Sequence, residues 1–172
     1  MIEFEIADNN FSTQLVQFWR ESFLAAYSDV HSAENIQAYF SASYTIEEAN
    51  KMLSSEHFFC LKANRNQQTV GIAIVNYRRC SLNEGLDTAE LKHLYLLPSA
   101  YGTGLAHKMM DEVFRSVKKE SKSHVWLSVS KLNIRAQRFY KKLGFECIGD
   151  GDDIHVGNEV LASLIMIKKL VN

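Results

Sequence analysis

Gly102 and Gly104 stand two residues apart in Leu-Pro-Ser-Ala-Tyr-Gly-Thr-Gly-Leu-Ala, residues 97–106, a spacing that can hold an anion. Ahead of them, Glu90 to Leu97 carries Leu91, Leu94, Tyr95, Leu96 and Leu97 and reads as a buried strand. Pro98 has no amide hydrogen for a sheet ladder and stops it. Beyond them, Leu105, Met109, Met110, Val113 and Val117 recur at helical spacing. A strand, a glycine turn and a helix N-terminus together present backbone N–H groups without helical partners, backed by about half a positive charge from the helix dipole. The chemistry this permits is capture of a phosphate or pyrophosphate by main chain. The dinucleotide pattern is excluded, since His107 stands where its third glycine would be, and without Gly-Lys-Ser/Thr the turn is no P-loop.

A second cluster covers residues 133–145, Asn-Ile-Arg-Ala-Gln-Arg-Phe-Tyr-Lys-Lys-Leu-Gly-Phe. Asn133 suits a helix N-cap, and Gly144 suits the residue after the helix. Ala136, Phe139, Tyr140 and Leu143 share one helical face. Phe139, Leu143 and Phe145 serve a core; Tyr140 fits a core ring or a working hydroxyl equally.

The elements that must position these residues follow from patterning. Ile2, Phe4 and Ile6 alternate as a first strand, and Asp8-Asn9-Asn10 turns into a helix bearing Leu15, Val16, Phe18, Trp19, Phe23 and Leu24. Ser32 caps a helix with Ile36, Tyr39 and Phe40, and Thr45 with Glu48 forms a capping box for another from Ile46 to Leu53. His57–Ala63 and Thr69–Tyr77 read as strands joined by a turn at residues 64–68, and Asn83-Glu84-Gly85 as a polar loop. Val125–Val129, Phe145–Ile148 and Leu161–Leu170 complete the strands, with an acidic turn at residues 149–153. The order is strand, helices, then β-β-β-α-β-α-β-β: one α/β (α+β) domain over residues 1–172.

Of the 172 residues, 47% are hydrophobic and the formal charge is −1 with both signs interspersed, which argues against a bulk nucleic-acid surface. No apolar run approaches a membrane span, and the N-terminus lacks a basic region followed by an apolar one, so a cytoplasmic protein without membrane partners is expected. Cys60, Cys80 and Cys147 are far apart and read as reduced thiols, and the six histidines have no paired spacing for a metal.

The motif Asn-x-x-Ala-x-x-Phe-Tyr-x-Lys-x-Gly-Phe, about 30 residues after Leu-Tyr-Leu-x-Pro-x-x-x-Gly-x-Gly, resembles the GNAT superfamily of N-acetyltransferases over about residues 70–148. The resemblance implies a mixed central sheet of about seven strands, helices on both faces, and a splayed central strand pair holding acetyl-CoA, with no metal. It implies that the backbone at Leu94, Tyr95 and Leu96 pairs with the pantetheine arm. The turn Tyr101, Gly102, Thr103, Gly104, Leu105 and Ala106 would hold the pyrophosphate, Asn133 and Ala136 would contact the cosubstrate, and Tyr140 would sit by its sulfur. The chain departs from the family at Ser99, often Gln or Arg, and at Tyr101, commonly basic. Backbone amides would then carry the phosphates without side-chain help.

Acetyl transfer from a thioester needs a neutral amine, a donor for the oxyanion and a proton for the thiolate. Tyr140 is the candidate acid, an amide near Leu94 or Tyr95 the oxyanion donor, and Glu90 the base, directly or through a water. His93 is the alternative base, and His31 and His155 read as ordinary polar residues. A closer resemblance, through Glu90-Leu91-Lys92-His93-Leu94-Tyr95, Trp126-Leu127 and Phe23-x-x-x-Tyr27, is to PaiA-type polyamine N-acetyltransferases. It implies a small-molecule amine such as spermidine or spermine. The acceptor pocket would be lined by Trp19, Phe23, Tyr27, Tyr39, Phe40 and Tyr44, with carboxylates from Glu34, Glu47, Glu48, Asp152, Asp153 and Glu159. Acetylation of a protein N-terminus or lysine, and a non-catalytic coenzyme A sensor, are the alternatives. Relatives that pair through a terminal strand suggest a possible homodimer using Leu161–Ile167.

Overall fold

The computed structural model describes residues 1–78 and 87–170; the polar loop at Asn83-Glu84-Gly85 and Cys80 lie outside the described residues. Its centre is a seven-stranded sheet in the order β1-β2-β3-β4-β5-β9-β6. The strands are β1 (Ile2–Ile6), β2 (Phe58–Arg65), β3 (Gln68–Asn76), β4 (Thr88–Leu96), β5 (His124–Ser130), β6 (Glu146–Asp150) and β9 (Ser163–Lys169). Helices α1 (Ser12–Tyr27), α2 (Ala33–Ser43) and α3 (Ile46–Ser54) precede β2, α4 (Leu105–Lys119) joins β4 to β5, and α5 (Ile134–Lys142) joins β5 to β6. The caps are those expected: Asp8, Ser32, Thr45 and Asn133 each accept a backbone N–H with the side chain.

Strand alternation divides the core into two layers. Ala73, Val75, Leu91, Leu94 and Leu96 pack with Met109, Met110 and Val113 of α4. Ile72, Ile74 and Tyr95 pack on the opposite face with Trp19, Phe23, Phe40, Tyr44 and Met52 of α1–α3. Helices therefore cover both faces.

Leu91 and Leu94 share a face although an odd number of steps separates them. The cause is a bulge: Ile74 pairs with His93 but Val75 with Leu91, leaving Lys92 as the extra residue. The same bulge puts Glu90, register partner of Asn76, on the α1–α3 face, opposite Leu94. Strict alternation would have placed Glu90 beside Leu94.

β4 and β5 pair in parallel only at Thr88–Glu90 with His124–Trp126. Past that point the strands part, and the gap between them is the opening in which the candidate site lies.

Two features depart from the patterning. The β2–β3 turn is shorter than expected, only Asn66 and Gln67, both at positive φ (51° and 65°). The expected final strand Leu161–Leu170 begins later, as β9 after Ala162, and Leu161 instead closes a hairpin that the patterning left unassigned, β7 (Ile154–Val156) and β8 (Glu159–Leu161). The hairpin stands outside the main sheet and lays Val156 into the α1–α3 core. Gly157 turns it at φ +60°, where an added Cβ would come within 2.6 Å of the Asn35 backbone, so only glycine lets the turn rest on α2. β9 lies between β5 and β6, so its apolar run reflects an interior strand and not a free edge. Among the described residues, no helix is long and apolar enough to cross a membrane.

Candidate active site

The parting of β4 from β5 opens a cleft of about 830 Å³ lined by both strands, by the turn before α4, by α5, by the end of α1 and by the β7–β8 hairpin. Leu94, Tyr95, Leu96, Tyr101, Gly102, Gly104, Leu105, Ala106, Asn133, Ala136 and Tyr140 all line it. Two sequence candidates do not. Thr103 turns its hydroxyl onto the Ala100 carbonyl (2.8 Å), and Glu90 is buried at the paired end of β4.

At the turn, Gly102 and Gly104 adopt φ +72° and +79°, left-handed values that a side chain would strain, and nothing lies within 4 Å of where a Cβ would project. The first helical bond of α4 is donated by Lys108 to the Gly104 carbonyl (3.3 Å), so the amides ahead of it have no acceptor within the helix. A cradle of this kind, open on its glycine faces, fits an anion carried on a bulky ligand. The turn also has a cation after all. The Arg135 guanidinium lies 3.9 Å from the centroid of the Tyr101 ring, and both line the cleft. Tyr101 thus replaces the usual basic residue with a ring that carries a basic side chain from α5. Sequence reasoning missed this because Arg135 belongs to a different element from the glycines.

Asn133 joins the two halves of the site. Its Oδ1 accepts from Ala136 N–H (3.0 Å), capping α5, while its Nδ2 donates to the Tyr27 hydroxyl (3.1 Å). Tyr140 sits between Phe139 and Phe145 at ring distances of 5.3 and 5.5 Å. Burial, and then the nearby Tyr27 phenol, pushes the Tyr140 phenol above its ordinary value, so it keeps its proton.

Aromatic groups dominate the far end of the cleft. Phe23, Tyr27 and Tyr39 line it, whereas Trp19, Phe40 and Tyr44 lie behind them in the core. Tyr44 and Tyr95 share a hydroxyl–hydroxyl bond of 2.9 Å, and burial raises both phenols. Glu34, Glu47, Glu48, Asp152, Asp153 and Glu159, expected to give the pocket carboxylates, do not line the cleft; its charged side chains among the described residues are Lys92 and Arg135. Glu159 stands directly behind the wall, its carboxylate on Nδ1 of His31, and His31 does line the cleft.

His93 faces the rings of Trp19, Tyr44 and Tyr95, and its Nδ1 is buried without a hydrogen-bond partner among the described residues. Burial, with Lys92 adding repulsion, drives its pKa down to about 3, so it is neutral when folded. Cys60 is buried with its thiol pushed up to about 12, and Cys147 is exposed; neither lines the cleft. Among the described residues, no group of three or more His, Cys, Asp or Glu could hold a metal ion.

The family model described as an acetyltransferase (GNAT) domain matches residues 26–155. An uncharacterized N-acetyltransferase of Mycobacterium bovis and one of Mycobacterium tuberculosis are each 32% identical over 139 residues, covering 80% of this chain and 84% of the relative. Among solved structures, a PaiA N-acetyltransferase from Thermoplasma acidophilum in complex with coenzyme A superposes with a TM-score of 0.80 at 22% identity, covering 99% of each chain. An N-acetyltransferase from Staphylococcus aureus superposes with a TM-score of 0.73 at 14% identity, covering 98% of each chain.

The neutral, buried His93 makes stability depend on pH. Its folded pKa is depressed, so its contribution is present above the unfolded value of 6.5 and is lost as pH falls below it. Between pH 7 and pH 5 the loss amounts to about 2 kcal/mol. Denaturant unfolding of the protein and of His93→Gln at both pH values should show a shallower acid limb in the variant. Parallel limbs would mean that His93 does not titrate with unfolding.

Proposed function

The chain belongs to the GNAT family of acetyltransferases, and from that premise we propose that it transfers the acetyl group of acetyl-CoA to a primary amine by direct attack on the thioester. The observation that carries this reading is the cleft itself: a splayed strand, a glycine turn with an added cation, and a buried protonated phenol face one space. The turn amides and Arg135 would take the phosphates. The backbone of Leu94–Leu96, with no parallel partner past Glu90, would accept the pantetheine amides as an added strand.

The amine nitrogen forms a bond to the carbonyl carbon as the carbon–sulfur bond breaks. An amide N–H near Leu94 or Tyr95 would receive the developing oxyanion. Tyr140 would give its hydroxyl proton to the departing thiolate, a role its retained proton suits. Glu90, proposed as base from its place on β4, would need a water to reach the amine, since it does not line the cleft.

A polyamine such as spermidine or spermine is the finer reading, supported by the sequence motifs and by fold likeness to the PaiA enzyme. With no carboxylate in the lining among the described residues, such a cation would be held by the faces of Phe23, Tyr27 and Tyr39.

Free-thiol release from acetyl-CoA should occur with at least one member of a panel of spermidine, spermine, diamines, aminoglycosides, arylalkylamines and lysine peptides. Release with peptides alone would move the reading to protein acetylation. Bound acetyl-CoA with silence across the panel would favour a non-catalytic sensor. Tyr140→Phe should lower kcat at least about tenfold, which is about 1.4 kcal/mol of barrier, with acetyl-CoA affinity unchanged; a change within twofold would remove the acid role.

Arg135→Ala should weaken coenzyme A about five- to tenfold by calorimetry, the worth of one charged contact at a partly exposed site, and leave pantetheine binding alone. Equal loss for both ligands, or none for either, would contradict a phosphate contact.

A further inference from the structure

Acetyl transfer to an amine requires a group that removes its proton. Three histidines line the cleft; His107 stands in the first turn of α4 beside the glycine turn, which leaves His31 and His93 at the aromatic end. They differ in what stands behind them. Among the described residues, His93 Nδ1 has no hydrogen-bond partner, and the charge that acts on the ring is that of Lys92. His31, 95% buried in the turn between α1 and α2, is bonded through Nδ1 to the carboxylate of Glu159, which arrives on β8 from 128 residues away. A carboxylate only accepts, so in the neutral ring the bond places the proton on Nδ1 and leaves the lone pair on Nε2. That Nε2 is buried and has no hydrogen-bond partner among the described residues. An unsatisfied buried nitrogen is costly, and an N–H group delivered by a substrate would remove that cost.

We propose that His31, oriented by Glu159, is the base that takes the proton from the acceptor amine. The assignment rests on the acetyl-transfer reading above and names the residue for the role expected of Glu90. Its location suits the chemistry. The His31 ring is 5.9 Å from that of Tyr27, whose hydroxyl is bonded to Asn133 and close enough to Tyr140 for the two phenols to interact. An amine between His31 and Tyr140 would have the base on one side and the acid on the other. As the N–C bond forms, the amine proton passes to Nε2, and the carbon–sulfur bond breaks as Tyr140 protonates sulfur. Return of the proton from imidazolium to phenolate through solvent resets both groups. Net, amine and acetyl-CoA become amide and free thiol.

The hairpin that supplies Glu159 is built for placement. Asn158 N–H donates to the Asn35 side chain (3.0 Å), and Gly157 rests against the Asn35 backbone. Bonds from His31, and then from Asn35, hold the Glu159 carboxyl below its ordinary value, so it stays charged opposite the ring. Among the described residues, Tyr27 from α1 faces the His31 ring, Glu159 from β8 bonds it, and Asn35 from α2 holds the hairpin that carries Glu159.

The test uses the intact protein, acetyl-CoA and the amine that releases most thiol. His31→Gln should lower kcat about a hundredfold with acetyl-CoA affinity unchanged. Glu159→Gln, at a partly exposed position, should lower kcat about tenfold with the fold intact by circular dichroism. His31→Ala should regain activity with added imidazoles in the order of their basicity, which a merely structural histidine would not show. Activity within threefold of wild type in His31→Gln, or loss of all transfer in Glu90→Gln while His31→Gln keeps it, would overturn the assignment and leave acetyl transfer standing. Wild-type protein that binds acetyl-CoA and acetylates no amine would remove the acetyl-transfer reading and this assignment with it.

Discussion

The parting of β4 from β5 after three residues of parallel pairing is the constraint on which the rest of the structure depends. A parallel pair held together along its length would satisfy its own backbone groups and leave no gap. Here β4 stays fastened to β3 as far as Leu96, and β5 stays fastened to β9 as far as Ser130, so each is held from one side only. The sheet remains continuous because pairing at Thr88–Glu90 is kept, and the cleft costs only the bonds beyond it. The α4 turn sits over one end of that gap because it carries the chain from the end of β4 into α4, and α5 sits over the other side because it is the next helix after β5.

Burial then decides what the groups in the cleft can do. Tyr27, Tyr39, Tyr95 and Tyr140 all have phenols raised chiefly by desolvation, so each holds a hydroxyl proton and none carries charge. His93, desolvated without an acidic partner, is fixed as a neutral ring. His31 and Glu159 form a buried–exposed pair, with the carboxylate reaching in from a partly solvated position. Neutral phenols and one carboxylate-backed histidine suit proton transfer at the aromatic end, whereas the turn amides and Arg135 at the other end would meet the phosphates of the proposed donor.

Much of this was legible in the sequence, and the reasons for the rest are physical. Local signals identified the caps at Ser32, Thr45 and Asn133, the glycine turn and the five helices, because capping and φ preferences act within a few residues. The two motifs placed Leu94–Leu96, the turn apart from Thr103, Asn133, Ala136 and Tyr140, which line one cleft. Three features were not legible because they depend on contacts between distant segments. The bulge at Lys92 shifts Glu90 to the other face, and no residue type near it announces the change. The β7–β8 strands are three residues each, too short for an alternating pattern to register, so the hairpin was left unassigned. His31 looked ordinary because its partner Glu159 lies on that same hairpin, 128 residues away.

The central claim is that the gap beside β4 receives the acetyl donor along its backbone. Hydrogen–deuterium exchange of the intact protein, with and without acetyl-CoA, tests it directly. The account predicts slower exchange confined to the Leu94–Leu96 segment and the turn from Tyr101 to Ala106, with β1 and β2 unchanged. Bound acetyl-CoA that leaves exchange in both segments unaltered would contradict it.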